Sequence, residues 1–141
     1  MKRFEFSLAK LLDYRWQIEL EAKREYANCQ RILNEKEERM QGLMKEKQDL
    51  LEIREDSVNR MQIQQCYLLA LERQMTDTHH ELIAQRQLLQ EALDKYIDAQ
   101  KERKILEKLK EKQLAEYEHT IKQEEQKMLD EMGSRRIASA L

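Results

Sequence analysis

The chain has no proline and only two glycines in 141 residues, so it is poor in the turns that fold a chain into layers. That scarcity excludes a multilayer globular core and leaves no Gly-rich loop to cradle a phosphate. Cysteine is limited to Cys29 and Cys66, and aromatics make up 6% of the residues. Apolar residues are too dispersed for a membrane span. Neither charge sign prevails, the formal net charge being −2, so no overall field draws the chain to nucleic acid or anionic lipid. What remains is 38% charged residues among strong helix formers, the composition of long helices.

Periodicity organises those helices. Alternate steps of four and three from Leu8 reach Leu12, Arg15, Glu19, Ala22, Tyr26, Cys29, Leu33, Lys36, Met40, Leu43, Lys47, Leu50 and Arg54, and nine of the fourteen are apolar. This is a heptad seam. A second seam runs Leu68, Glu72, Met75, His79, Leu82, Arg86, Leu89, Leu93 and Tyr96, then turns polar through Gln100, Arg103, Glu107 and Lys110. It resumes at Leu114, Tyr117, Ile121 and Met128. Ile105, Leu106 and Leu109 fall off that line, which predicts a stutter between about 100 and 110.

The stretch Glu55 to Asn59 gathers Asp56, Ser57 and Asn59, residues that cap helices and compete with helical hydrogen bonding. The predicted fold is therefore all-α. Two long helices form an antiparallel coiled-coil hairpin in a single domain over 1–141. Helix one covers about 7–55, the bend about 56–61 and helix two about 62–132, with Gly133 as a C′ stop before a frayed tail at 133–141. Ser7 as N-cap would make Phe6 and Leu11 a hydrophobic staple. Partners across such a hairpin have residue numbers adding to about 117, which leaves Lys110 to Met132, roughly 35 Å of helix, without a partner in its own chain. Leu114, Tyr117, Ile121 and Met128 lie along that overhang. Self-association or a different protein would cover them. Phe4, the other phenylalanine, either packs on that partner or dangles as an apolar terminus.

Early in helix two, Tyr67, Leu71, Gln74 and Thr78 form a line rotated about 100° from the Leu68 seam. Either Tyr67 and Leu71 point partly outward, or a wide stripe buries both near the bend. Chemistry is sparse elsewhere. His79 and His80 are adjacent and splay apart, with no His or Cys at chelating spacing, so no metal is expected. The hairpin arithmetic separates Cys29 from Cys66 by about 33 Å, too far for a disulfide. "KERKILEKLKEK" mixes six basic with three acidic side chains and reads as a solvated helix face, not a nucleic-acid clamp. No nucleophile with a positioned base is present, so neither catalysis nor a cofactor is expected. Lys2 and Arg3 give a basic opening, but Glu5, Lys10 and Asp13 interrupt any apolar run, so a secretory signal is not expected and the cytosol is.

Two stretches carry a resemblance. The beginning, "FEFSLAKLLDYRWQIELEAKREYA", holds Phe6, Leu8, Leu11, Leu12 and Arg15; the later "ERKILEKLKEKQLAEYEHTIKQEEQKMLDEM" holds Glu102, Arg103, Leu106, Glu107, Leu109, Lys112, Tyr117, Glu125, Gln126, Lys127, Asp130 and Glu131. Across nearly the whole chain this resembles the flagellar export protein FliJ family of bacteria. The resemblance implies a two-helix coiled coil like the central stalk of rotary ATPases, acting without catalysis at the cytoplasmic face of the inner membrane at the flagellar base, in flagellum biogenesis and motility. It implies that the paired helix ends, here Phe4, Phe6, Leu8, Leu114, Tyr117, Ile121 and Met128, enter the export ATPase hexamer and promote its assembly. It also implies contacts with export chaperones and with the cytoplasmic domain of the large export-gate protein. Tyr67 and Leu71 match the family's gate-facing aromatic and leucine, whereas Gln74 and Thr78 depart from its small and histidine residues. The same architecture would suit a self-associating coiled coil, or the stalk of a virulence secretion system or another rotary ATPase.

Overall fold

The computed structural model describes residues 3–140 and contains, among them, two helices and no strand. Helix α1 spans Ala9–Glu52 and helix α2 spans Val58–Ala140. The expected all-α hairpin with a longer second helix is what forms. The expected single domain groups into two compact units, Leu20–Asp98 and Met1–Glu19 with Ala99–Leu141. Each draws on both helices.

In the Leu20–Asp98 unit the bend is shorter and earlier than the sequence suggested. Helix α1 ends at Glu52 and α2 starts at Val58, because Ser57 accepts the first helical bond, from the Met61 N–H at 2.9 Å, and so caps α2. Asn59 then sits inside the first turn and not in the bend. The open carbonyls at the end of α1 are met from α2: the Gln64 side-chain amide donates to the carbonyls of Leu50 at 2.7 Å and Ile53 at 3.0 Å. The helices then run antiparallel. Lys36 pairs with Glu81 and Lys47 with Glu72, close to the expected register.

The core of this unit is Leu33, Met40 and Leu82, with Met75 and Leu89 packed against them. Leu71, Cys29 and Ala92 are also buried, and Tyr26 stacks on Tyr96 with ring centroids 6.4 Å apart. The seam predicted for α1 is accurate, since from Leu8 to Leu50 every one of its positions is buried or half-buried. The seam predicted for α2 is corrected. Leu68, Met75, Leu82, Leu89 and Tyr96 belong to it, but the intervening positions are Leu71, Thr78, Gln85 and Ala92, and not Glu72, His79, Arg86 and Leu93. Glu72, His79 and Arg86 are exposed because charged and imidazole groups keep their hydration there. Buried Gln85 satisfies its amide by donating to the Cys29 carbonyl at 3.1 Å.

In the other unit α1 begins one residue beyond the start a Ser7 cap would set. Its first helical bond runs from the Leu12 N–H to the Leu8 carbonyl at 2.9 Å, preceded by a tighter turn from the Ala9 N–H to the Phe6 carbonyl at 3.1 Å. Phe6 and Leu12 are buried and Leu11 is exposed, so a staple onto Leu11 is not what buries Phe6. The seam of α2 continues in its corrected phase through Ala99, Arg103 and Leu106, so the expected stutter does not begin at 100. Leu109, half-buried where the repeat would put Lys110, marks the first departure. Helix α2 also continues through Gly133, which takes no positive φ and therefore forms no left-handed cap. A lone helical glycine costs about 1 kcal/mol against alanine, too little to end a helix in which no proline follows. Of the expected frayed tail, residues 133–140 are helical and Leu141 lies outside the described residues.

Candidate partner interface

The Met1–Glu19 and Ala99–Leu141 unit holds every residue that the sequence placed at the interacting end. Residues 3–6 precede α1 in non-helical form. Outside the helix these residues are not held to its 1.5 Å rise per residue, so helical arithmetic does not limit how far they reach along α2. Phe4 reaches Tyr117, with ring centroids 5.4 Å apart and planes tilted by 44°. Coverage within the chain therefore extends to Tyr117, where the sequence arithmetic ended it near Leu109. Phe4, Leu8 and Tyr117 are half-buried and Phe6 is buried, so these four are committed to their own chain at least in part.

Leu114 is already exposed at 36%, and past Ile121 the covering stops altogether. Ile121 is half-buried, whereas Met128, Leu129, Met132 and Ile137 are exposed, Met128 at 57%. At 100° per residue, Leu114, Tyr117, Ile121, Met128 and Met132 share an arc of about 60°. One continuous apolar stripe thus changes from partly covered to bare along a single helix. Met132 belongs to it and was missed in the sequence because the alternation of four and three lands on Glu131 after Met128. Acidic side chains flank the bare part, with Glu118, Glu124, Glu125, Asp130 and Glu131 against Lys122 and Lys127.

Beneath this end lies a polar layer that the seam analysis marked only as non-apolar. Arg103 donates from Nε to Glu19 at 2.6 Å and from Nη2 to the same carboxylate at 3.0 Å, a two-pronged fork. Its Nη1 donates to Glu107 at 2.8 Å, and the guanidinium lies 4.2 Å from the centre of the Trp16 ring. The Glu19 bonds chiefly, then Glu107, raise the Arg103 pKa above its ordinary value against the opposing effect of burial, so the group is always charged. Arg15 and Glu102 pair beside it. Among the described residues no buried side-chain polar atom lacks a hydrogen-bond partner.

In the Leu20–Asp98 unit the four residues read as a gate face divide. Tyr67 is 50% exposed, lines a hollow of about 320 Å³ with Ile53 and Ile63, and approaches Glu46 through its hydroxyl at 3.5 Å. Gln74 is exposed. Leu71 and Thr78, 3% and 4% exposed, are seam residues and offer no outer surface. Cys29 is buried and Cys66 exposed, both as free thiols, and His79 and His80 are exposed neighbours. No group of three or more metal-ligating side chains gathers among the described residues, and no helix there is long and apolar enough to cross a membrane.

No curated protein and no solved structure matches the chain at the significance required. A profile of one family does match, over residues 4–141, and that span contains the ring pair, the polar layer and the bare stripe alike. The chain belongs to the flagellar FliJ protein family, whose members are components of the flagellar export apparatus.

Proposed function

We propose that the chain is a non-enzymatic, stalk-like coiled coil of flagellar protein export. It binds the ring of the export ATPase through the end carrying Leu114, Tyr117, Ile121, Met128 and Met132, promotes the ring's assembly and activity, and links it to the export gate and to export chaperones at the cytoplasmic face of the inner membrane. The observation that carries this reading is the apolar stripe along α2, half-buried at Tyr117 and Ile121 and bare at Met128 and Met132. A bare stripe of that length is stabilised by a partner's apolar surface. The action is allosteric. A single asymmetric coiled coil touches only some subunits of a ring at once and biases their states by contacting them differently. For the gate contact, Tyr67 and Gln74 are the exposed members of the candidate face.

The test is ATPase activity titrated with the native protein and with an Ile121→Ser, Met128→Ser double variant. Tyr117 is left in place because Phe4 packs on it. Stimulation is expected to fall by more than tenfold in potency, since central apolar anchors are worth about 2 kcal/mol or more each. Glu118→Gln, an exposed charge, is the control expected to change little. Coincident titration curves for the native and double-variant proteins would refute the assignment. A stable dimer in sedimentation that the double variant abolishes, with no effect on any ATPase, would assign the stripe to self-association.

A further inference from the structure

The bare part of α2 carries an order of charges that the apolar stripe alone does not explain. Ile121, Glu125, Met128, Met132, Arg135 and Ser139 are spaced four, three, four, three and four residues apart on one helix, and lie within an arc of about 80°. This is a heptad seam whose spacing reads alike in both directions, with Asp130 at its midpoint. The charges on it do not read alike. Carboxylates stand before the midpoint at Glu124 and Glu125, and guanidiniums stand equally far beyond it at Arg135 and Arg136. All four are exposed, and none has an ion-pair partner among the described residues.

Such a seam pairs with itself when a second copy runs antiparallel about a two-fold axis at Asp130. Met128 then packs on Met132 of the second copy, and Met132 on its Met128. Around the helix, Glu124 and Arg135 fall on one flank of the seam and Glu125 and Arg136 on the other, and each flank meets the same flank of the second copy. Arg135 therefore faces Glu124 of the second copy and Arg136 faces its Glu125. The axis repeats both, giving four opposite-charge contacts. Leu129, 62% exposed, meets its own copy on the Glu125 flank. Glu131 does so on the Glu124 flank, where Lys127 offsets the repulsion. Parallel pairing in register would set arginine on arginine and glutamate on glutamate, so charge decides the direction.

We propose that the bare stripe of the free protein docks on a second copy of this chain, antiparallel and centred on Asp130. The pairing covers Met128 and Met132, the residues assigned above to the ATPase ring. On that reading the two occupants exclude each other, and the ring draws on dissociated protein. A seam of fewer than three heptads makes the dimer weak, with a dissociation constant on the order of 100 μM, so the stripe is readily released.

The test is sedimentation equilibrium of the full chain with no ATPase present, so its outcome is separate from that of the titration above. The native protein is expected to dimerise near that concentration. An Arg135→Glu, Arg136→Glu variant and a Glu124→Lys, Glu125→Lys variant should each dimerise at least about tenfold more weakly, because each turns all four contacts into like-charge ones. An equimolar mixture of the two variants should restore the native affinity, since their heterodimer recovers opposite charges at every contact. A native protein still monomeric at about 1 mM would overturn the proposal. So would a dimer that either reversal leaves unchanged, the result expected of parallel pairing or of contact elsewhere, and so would a mixture that fails to restore it.

Discussion

Replacing Arg103 alone by methionine should be far more damaging than replacing it together with Glu19. The single change leaves the Glu19 carboxylate on the seam, with only 8% of its side chain exposed and both of its fork donors gone. Breaking a buried pair by removing one member costs about 3–5 kcal/mol, because the remaining charge stays desolvated. Some solvent reaches both side chains here, which places the expectation near the lower end, about 3 kcal/mol. For a chain of this length each kcal/mol moves the melting temperature by about 3–4 °C, so a fall of roughly 10 °C is expected. The assay is helical circular dichroism followed with temperature, run beside Glu102→Gln. That variant breaks the Arg15 pair at sites 32% and 52% exposed, where the loss should stay below about 1 kcal/mol. Equal shifts for Arg103→Met and Glu102→Gln would refute the reasoning, since burial would then not be what separates the two pairs.

Leu71→Ala should cost about 3 kcal/mol by opening a cavity in the seam, while Tyr67→Ala should cost under about 1 kcal/mol and leave the melting curve nearly unchanged; the reverse ranking would return Tyr67 to the core. Gln64→Ala strips the only side-chain caps described on the Leu50 and Ile53 carbonyls and should lower stability by about 1–2 kcal/mol, with faster amide exchange confined to the bend. Gly133→Ala should stabilise α2 by roughly 0.5–1 kcal/mol and raise the helical chemical shifts of the residues around it, because an added Cβ meets nothing within 4 Å and the backbone is already helical. Destabilisation there would restore the glycine stop.

The α1 seam could be read from the sequence because one phase alone collects its apolar residues. For α2 two phases share Leu68, Met75, Leu82, Leu89, Tyr96 and Arg103, and the choice rests on the positions between. The phase the structure adopts adds Leu71, Thr78, Gln85, Ala92, Ala99 and Leu106, making nine of twelve apolar, against six for the phase with Glu72, His79, Arg86, Leu93, Gln100 and Glu107. The signal was therefore present, and counting both phases recovers it. The gate-face line inherited this error, which is why its Leu71 and Thr78 prove to be core. The reach of Phe4 onto Tyr117 was not legible in the same way. It depends on residues 3–6 lying outside α1, where helical arithmetic does not apply. Nor does heptad counting reveal that Glu19, Arg103 and Trp16 converge, since it registers a charged seam position only as a missing apolar one.

Pairing that starts at one bend sets an order in time as well as in space. Gln64 meets Leu50 across 14 residues of chain, whereas Arg15 and Glu102 are separated by 87. Closing the longer loop unaided costs more entropy, so contacts beside the bend form first and each lowers the cost of the next. During synthesis α1 is therefore complete long before its partner exists. Phe6 and Leu12 stay uncovered until the chain has grown beyond Ala99, and Phe4 until it has grown past Tyr117. Phe4, Phe6 and Leu12 are thus among the last residues to be enclosed, and in that interval these apolar side chains stand open to any chaperone that meets the nascent chain.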